Sequence, residues 1–245
     1  MSILKKTEVA RRLCPVIFLL DTSGSMSGQP IGAVNAAIEG ILPELVSMNN
    51  DNPDVQIEFA IMTFDTNIRW VTGDNGLIDP ETHAWNDLNA SGYTAMGAAF
   101  NELNNKLSVS SGFMNRASGS VAPVLFLLSD GEPSDKNYED DLQKLQDNNW
   151  YKVAVRVAIG YGQSDDAVLA KFTGNSETVL HTNDPKDLKA LIKFVAITSS
   201  MVASKGKAVQ GNTPADQQAA NDMTNALADA LRNSPPSLAS DDTDW

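Results

Sequence analysis

Two unbroken apolar runs dominate the chain: Val16-Ile17-Phe18-Leu19-Leu20 and Val124-Leu125-Phe126-Leu127-Leu128, near copies of one another. Runs of this length without alternation fit strands covered on both faces, as in a parallel sheet. Each stops at a polar turn carrying an aspartate, Asp21 in the first and Asp130 in the second. Residues 55–63 alternate and predict another strand, followed by an Asp65-Thr66-Asn67 turn and a hairpin partner at 68–71. Residues 153–159 predict a fifth strand and 177–181 a weaker sixth.

Between these strands apolar residues recur at helical spacing. Ile31, Val34, Ile38, Ile41, Leu42 and Leu45 form one stripe behind Pro30, and Pro43 inside it predicts a kink or an early end. Met96, Phe100, Leu103 and Leu107 form a second, and Tyr138, Leu142 and Leu145 a short third. A start capped at Ser164 leads into Val168, Leu169 and Phe172, and Asp184-Pro185 opens a helix carrying Leu188, Leu191, Ile192 and Val195. Strands alternating with helices predict an α/β fold with a doubly wound, mostly parallel six-stranded sheet flanked by helices. Right-handed crossovers then select strand order 3-2-1-4-5-6, with the short third strand antiparallel at an edge.

The pattern divides the chain into an N-terminal extension (1–12), a body (13–205) and an acidic tail (206–245) with a helix at 213–232. The stripe expected on that helix is Ala219, Met223, Ala226, Leu227, Ala230 and Leu231. Docking on its own body, or disorder, is the plain expectation for it, and a partner-binding helix the sharper one. Ser234-Pro235-Pro236 to Trp245 reads as unstructured. Lys5, Lys6, Arg11 and Arg12 before an apolar run suggest a signal peptide, but Pro15 and Asp21 cut the run short and no cleavage site follows. A cytoplasmic location is therefore expected. Apolar runs of about eight residues are also too short to span a membrane.

With 18 basic against 31 acidic side chains, a net charge of -13 argues against a surface for nucleic acid or anionic lipid. It suits cations and basic partners. One cysteine, Cys14, and two histidines, His83 and His181, exclude disulfide frameworks and make nitrogen- or sulfur-rich metal sites implausible. Cys14 reads as a core residue, the histidines as surface or strand-end residues, and Trp70, Trp85 and Tyr93 as packing or loop anchors. Glu139-Asp140-Asp141 reads as a solvated first helical turn, and Gly160-Tyr161-Gly162 lacks the third glycine of a dinucleotide fingerprint.

The candidate chemistry lies in the turns after the twin strands. Alternation puts Asp21, Ser23 and Ser25 on one side of the connection, with Gly24 permitting a bend. Three oxygen donors without nitrogen or sulfur suit a hard cation such as Mg2+. In the expected order, strands one and four are neighbours, and the crevice between their carboxyl ends is where ligands bind in such sheets. Asp21 and Asp130 would face each other there, and a dication between two close carboxylates removes their repulsion. Thr94, in Ser91-Gly92-Tyr93-Thr94, reaches toward the same crevice or caps the following helix.

In order and context, Asp21-x-Ser23-x-Ser25, Thr94 in SGYTAMGAA and Asp130 in LLSDGEP resemble the von Willebrand factor A domain with its metal-ion-dependent adhesion site (MIDAS). The likeness covers about residues 13–200. The surrounding text, including GQPIGAVNAAI and VLFLLSDGEPSD, is similar to the bacterial TerY-like branch linked to tellurite and toxic-anion resistance. Where the family usually has Gly-Gly-Thr, this chain has Gly92-Tyr93-Thr94. The resemblance implies Mg2+, with Mn2+ or Ca2+ as alternatives, bound by Ser23 and Ser25 directly. It implies that Thr94, Asp21 and Asp130 bind directly or through water. Neutral hydroxyls would leave the ion electron-poor, so that a partner's Asp or Glu carboxylate completes its shell. The function so implied is a non-enzymatic interaction module, an adaptor or scaffold alongside an operon-linked protein kinase and phosphatase.

The rival reading is a Mg2+-dependent phosphoryl hydrolase of haloacid-dehalogenase-like type, with Asp21 as nucleophile and Asp165-Asp166 as its later acidic pair. That pattern needs a second aspartate two residues after the first, as general acid. Ser23 stands there, and serine protonates a leaving group poorly near neutral pH.

Overall fold

The two near-copies lie side by side and in register, Val16 opposite Val124 and Leu20 opposite Leu128. They form the centres of β1 (Arg12–Asp21) and β4 (Val124–Ser129) in the computed structural model, which describes residues 11–74, 76–116, 120–207 and 213–233. Residues 1–10, with Lys5 and Lys6, and the segment from Ser234 to Trp245 lie outside the described residues, whereas Arg11 and Arg12 lead into β1. Four further strands, β2 (Val55–Phe64), β3 (Ile68–Trp70), β5 (Val155–Tyr161) and β6 (Val179–Thr182), complete one sheet of order β3-β2-β1-β4-β5-β6. Only β3 runs antiparallel, at the edge beside β2. This is the doubly wound topology expected from the alternation of patterns.

Side-chain alternation explains why both central strands are apolar throughout. Val16, Phe18 and Leu20, with Val124, Phe126 and Leu128, face the layer made by α1 (Gln29–Asp51) and α6 (Pro185–Ser204). Ile17, Leu19, Leu125 and Leu127 face the opposite layer of α2 (Met96–Lys106), α3 (Tyr138–Asp147) and α5 (Asp166–Thr173). The Phe18 and Phe126 rings meet across the strand pair at 5.4 Å between centroids, a contact worth about 1 kcal/mol beyond its area. Cys14 is fully buried in the first layer.

Some details depart from the sequence pattern. Pro43 does not end α1, which runs on to Asp51. Pro43 and Glu39 both lie on the exposed face, where water can satisfy the Glu39 carbonyl that loses its partner. Ile38, Ile41, Leu42 and Leu45 are buried on the other face. At 23 residues α1 is also long and apolar enough to cross a membrane, although no unbroken run is; here its apolar side packs on the sheet.

The fifth strand starts at Val155, two residues later than expected, because α4 (Asn149–Lys152) intervenes. Asn148 caps α4 by accepting from the Trp150 and Tyr151 amides. The α5 cap is Asp165 and not Ser164, with the Asp165 carboxylate accepting from the Ala167 amide at 2.8 Å. In the tail, α7 (Pro214–Asn233) docks on the body beside α6. Its buried stripe is Ala220, Met223, Thr224, Leu227, Ala228 and Leu231, while Ala226 is exposed. The face is thus turned slightly from the expected one, toward residues that meet α6 and β5.

Candidate metal centre

Parallel pairing of β1 with β4 brings two polar turns together at the carboxyl end of the sheet. One step beyond the Leu20–Leu128 pair stand Asp21 and Ser129, and the Ser129 hydroxyl donates to Asp21 Oδ2 at 2.6 Å. The other Asp21 oxygen accepts from the Ser23 amide at 2.8 Å, which turns the chain sharply into a short 3-10 turn, Gly24–Met26. Met26 is fully buried beneath that turn and anchors it. The Ser23 and Ser25 hydroxyls then lie 3.0 Å apart, and Ser25 donates to Asp130 Oδ1 at 2.8 Å. Asp21, Ser23, Ser25 and Asp130 therefore form one continuous polar cluster.

A third loop is laced onto the first two through its backbone. The Ser91 amide donates to the Thr22 carbonyl at 2.8 Å, and the Gly24 amide to the Gly92 carbonyl at 3.0 Å. A side chain at Gly92 would clash with the Thr66 hydroxyl, and its φ of +79° favours glycine. Thr94 is tied to the turn after β4: its carbonyl accepts from the Ser134 amide at 2.8 Å, and its amide donates to Ser134 Oγ at 3.2 Å. A Cβ placed on Gly131 would lie 3.6 Å from Thr94 Oγ1, so this hydroxyl adjoins the Asp130 turn. Thr94 does not cap α2; Ala95 holds the capping position.

Electrostatics set this cluster apart from an ordinary polar turn. Asp21 is 0% exposed, Ser23 1%, Thr94 6% and Asp130 8%, while Ser25 opens to solvent. Burial pushes the Asp21 carboxyl up to about 6, against hydrogen bonds from Ser129 and Ser23 that hold it down and with the Asp130 charge adding to the rise. Burial likewise raises Asp130, opposed by the hydrogen bond from Ser25. Among the described residues no lysine or arginine pairs with either carboxylate. Two buried acids without a counter-charge, ringed by hydroxyls, make an oxygen-only donor set that fits a small hard dication. No three His, Cys, Asp or Glu side chains gather anywhere among the described residues, this cluster included; its donors are two carboxylates and three hydroxyls.

Ser129 is the residue that the sequence reading missed. Only the register that pairs the twin strands, which places it level with Asp21, reveals it. Tyr93 departs from expectation too: it is no loop anchor but stands 72% exposed beside Thr94. The residues set aside earlier are engaged elsewhere. Trp70 donates to Glu102 at 2.8 Å, and His83 packs edge-on against Phe59. Asp165 caps α5 and Asp166 pairs with His181 at 2.9 Å.

This arrangement of sheet and loops defines a class. The family model of the von Willebrand factor type A domain matches residues 16–194, and the chain belongs to that family, whose members commonly mediate metal-dependent protein interactions. Among solved structures, proximal thread matrix protein 1 of the mussel byssus superposes with a TM-score of 0.59 at 19% identity, over 76% of this chain and 48% of that one. The structure of the same protein with a zinc-occupied MIDAS motif gives 0.60 at 18% identity, over 76% and 48%. A von Willebrand factor type A protein from Catenulispora acidiphila gives 0.55 at 16%, over 78% and 43%. The chain spans about half the length of the mussel protein structures. No curated protein matches it in sequence.

Proposed function

We propose that this chain is a metal-dependent interaction module in which Asp21, Ser23, Ser25, Thr94 and Asp130 hold Mg2+, and in which the ion takes an Asp or Glu carboxylate of a partner protein. The observation that carries this reading is the pair of buried carboxylates, Asp21 and Asp130, joined through Ser23 and Ser25 and lacking a cationic partner among the described residues. When bound, the ion would supply an electrophilic position for an anionic oxygen. The protein's own residues do the rest. Ser129 and the Ser23 amide orient Asp21, Ser25 orients Asp130, and the backbone bonds from Ser91 and Gly24 hold Thr94 in place.

Oxygen-only donors favour Mg2+, with Mn2+ or Ca2+ as substitutes; the zinc in the mussel protein's MIDAS supports a divalent ion generally. The TerY-like wording of the sequence supports a cytoplasmic adaptor or scaffold in tellurite and toxic-anion stress, with a protein kinase and a protein phosphatase as partners. A nucleophilic role for Asp21 is not favoured, because both of its oxygens are held by donors and Ser23 stands where a general acid is required. The test is a pulldown from a source lysate with Mg2+ and with chelator, using the native chain and Asp130→Ala. Proteins retained only by the native chain with Mg2+ support the proposal, and retention indifferent to metal contradicts it.

A further inference from the structure

At the opposite end of the sheet from Asp21, α7 lies against the start of β5 and leaves two adjoining cavities of about 560 and 410 Å3. They share Arg156, Gly174 and Asn221 and so form one groove. Lys152, Arg156 and Lys171 line it, and among the described residues no carboxylate does, in a chain with 31 acidic side chains. The wall contributed by α7 carries amides, among them Gln217 and Asn221.

Arg156 is the fixed point of this groove. Its Nε donates to the Thr173 carbonyl at 2.8 Å and its Nη1 to the Tyr151 carbonyl at 2.6 Å, and the guanidinium carbon sits 4.7 Å from the centre of the Tyr151 ring. The third nitrogen, Nη2, faces the bare Cα of Gly174, where a Cβ would come within 3.4 Å, and has no hydrogen-bond partner among the described residues. A half-buried guanidinium locked by two carbonyls and an aromatic face, with no carboxylate paired to it among the described residues, is a charge without a counter-ion. Lys152 is likewise unpaired among the described residues, whereas Lys171 is bound to Glu139 at 2.6 Å. Partial desolvation strengthens what such cations gain from an anion, and a guanidinium with a free edge suits planar or tetrahedral oxyanions.

We propose that this groove is a binding site for phosphate-type oxyanions, held by Arg156 and Lys152 on the body and by amide donors of α7. Because its walls belong to both the body and α7, an anion there would clamp the helix in place. Nothing in it depends on the metal centre.

The test is calorimetric titration of the metal-free full chain with inorganic phosphate and with pyrophosphate at constant ionic strength. Hydrogen exchange of α7 amides is followed in parallel. Saturable one-to-one binding is expected, weakened tenfold or more in Lys152→Gln and in Arg156→Gln, unchanged in Asp21→Asn, and accompanied by slower exchange in α7. Equal affinity for the two anions points to free phosphate, and a pyrophosphate preference to a larger phosphate ester. Should Arg156→Gln fail to fold, the exposed Lys152 carries the test. Absence of saturable binding for both anions, binding that Lys152→Gln leaves intact, or unchanged exchange in α7 would overturn the proposal.

Discussion

Replacing Asp21 by asparagine isolates the cost of keeping a buried carboxylate charged. Asp21 is fully buried, and its carboxyl is pushed from 3.8 up to about 6, chiefly by burial. In the unfolded chain the group ionises near its ordinary value. Between about pH 4 and 6, the metal-free native state therefore keeps a proton that the unfolded state has released, and stability falls as pH rises through this window. At about 1.4 kcal/mol per tenfold change, the loss is about 3 kcal/mol once both states are ionised. Asparagine cannot ionise and escapes that loss. Metal-free Asp21→Asn should be more stable than the native chain at pH 7 by about 1–3 kcal/mol, the lower end reflecting a poorer match to the Ser129 and Ser23 donors. At pH 4 the advantage should disappear. Added Mg2+ should reverse the order, because it stabilises only a native state able to bind it. Urea unfolding of both proteins from pH 4 to 7, with chelator and with Mg2+, measures this directly. A metal-free variant less stable than native at pH 7, or a difference that ignores pH, would refute the reasoning.

Three further outcomes test neighbouring parts of the account. Ser129→Ala removes the hydroxyl bonded to Asp21 and should weaken Mg2+ binding about tenfold in calorimetry while leaving the fold intact. Gly92→Ala places a Cβ 2.4 Å from Thr66 Oγ1 at a φ of +79°; it should cost about 1–3 kcal/mol in thermal unfolding and shift the Thr94 loop, lowering metal affinity further. Leu227→Ala, at a fully buried position of α7, should cost up to about 3 kcal/mol by creating a cavity. Hydrogen exchange should rise first in α7, with Mg2+ affinity unchanged.

The twin strands were legible because burial on both faces leaves no room for polar residues, and their likeness reflects one environment shared in register. From two such strands the crossover rules gave the sheet order, and the order placed Asp21 opposite the Asp130 turn. Ser129 was not legible as a partner of Asp21, since a serine before a polar turn reads as the fraying end of a strand. Only the register reveals its neighbour. At four residues, α4 is too short for periodicity to register. The face of α7 came out slightly rotated because alanines on both sides of the helix give the stripe little contrast. The tolerance of Pro43 depends on which way its turn of helix faces, and the docked partner decides that.

The central claim is that side chains from three loops converge on a single cation, and the most direct measurement is anomalous diffraction from crystals of the native chain grown with Mn2+. The account predicts one strong peak bounded by Ser23, Ser25, Thr94 and the carboxylates of Asp21 and Asp130, absent in Asp130→Ala. A saturated crystal with no peak there, or with its peak against other residues, would contradict it.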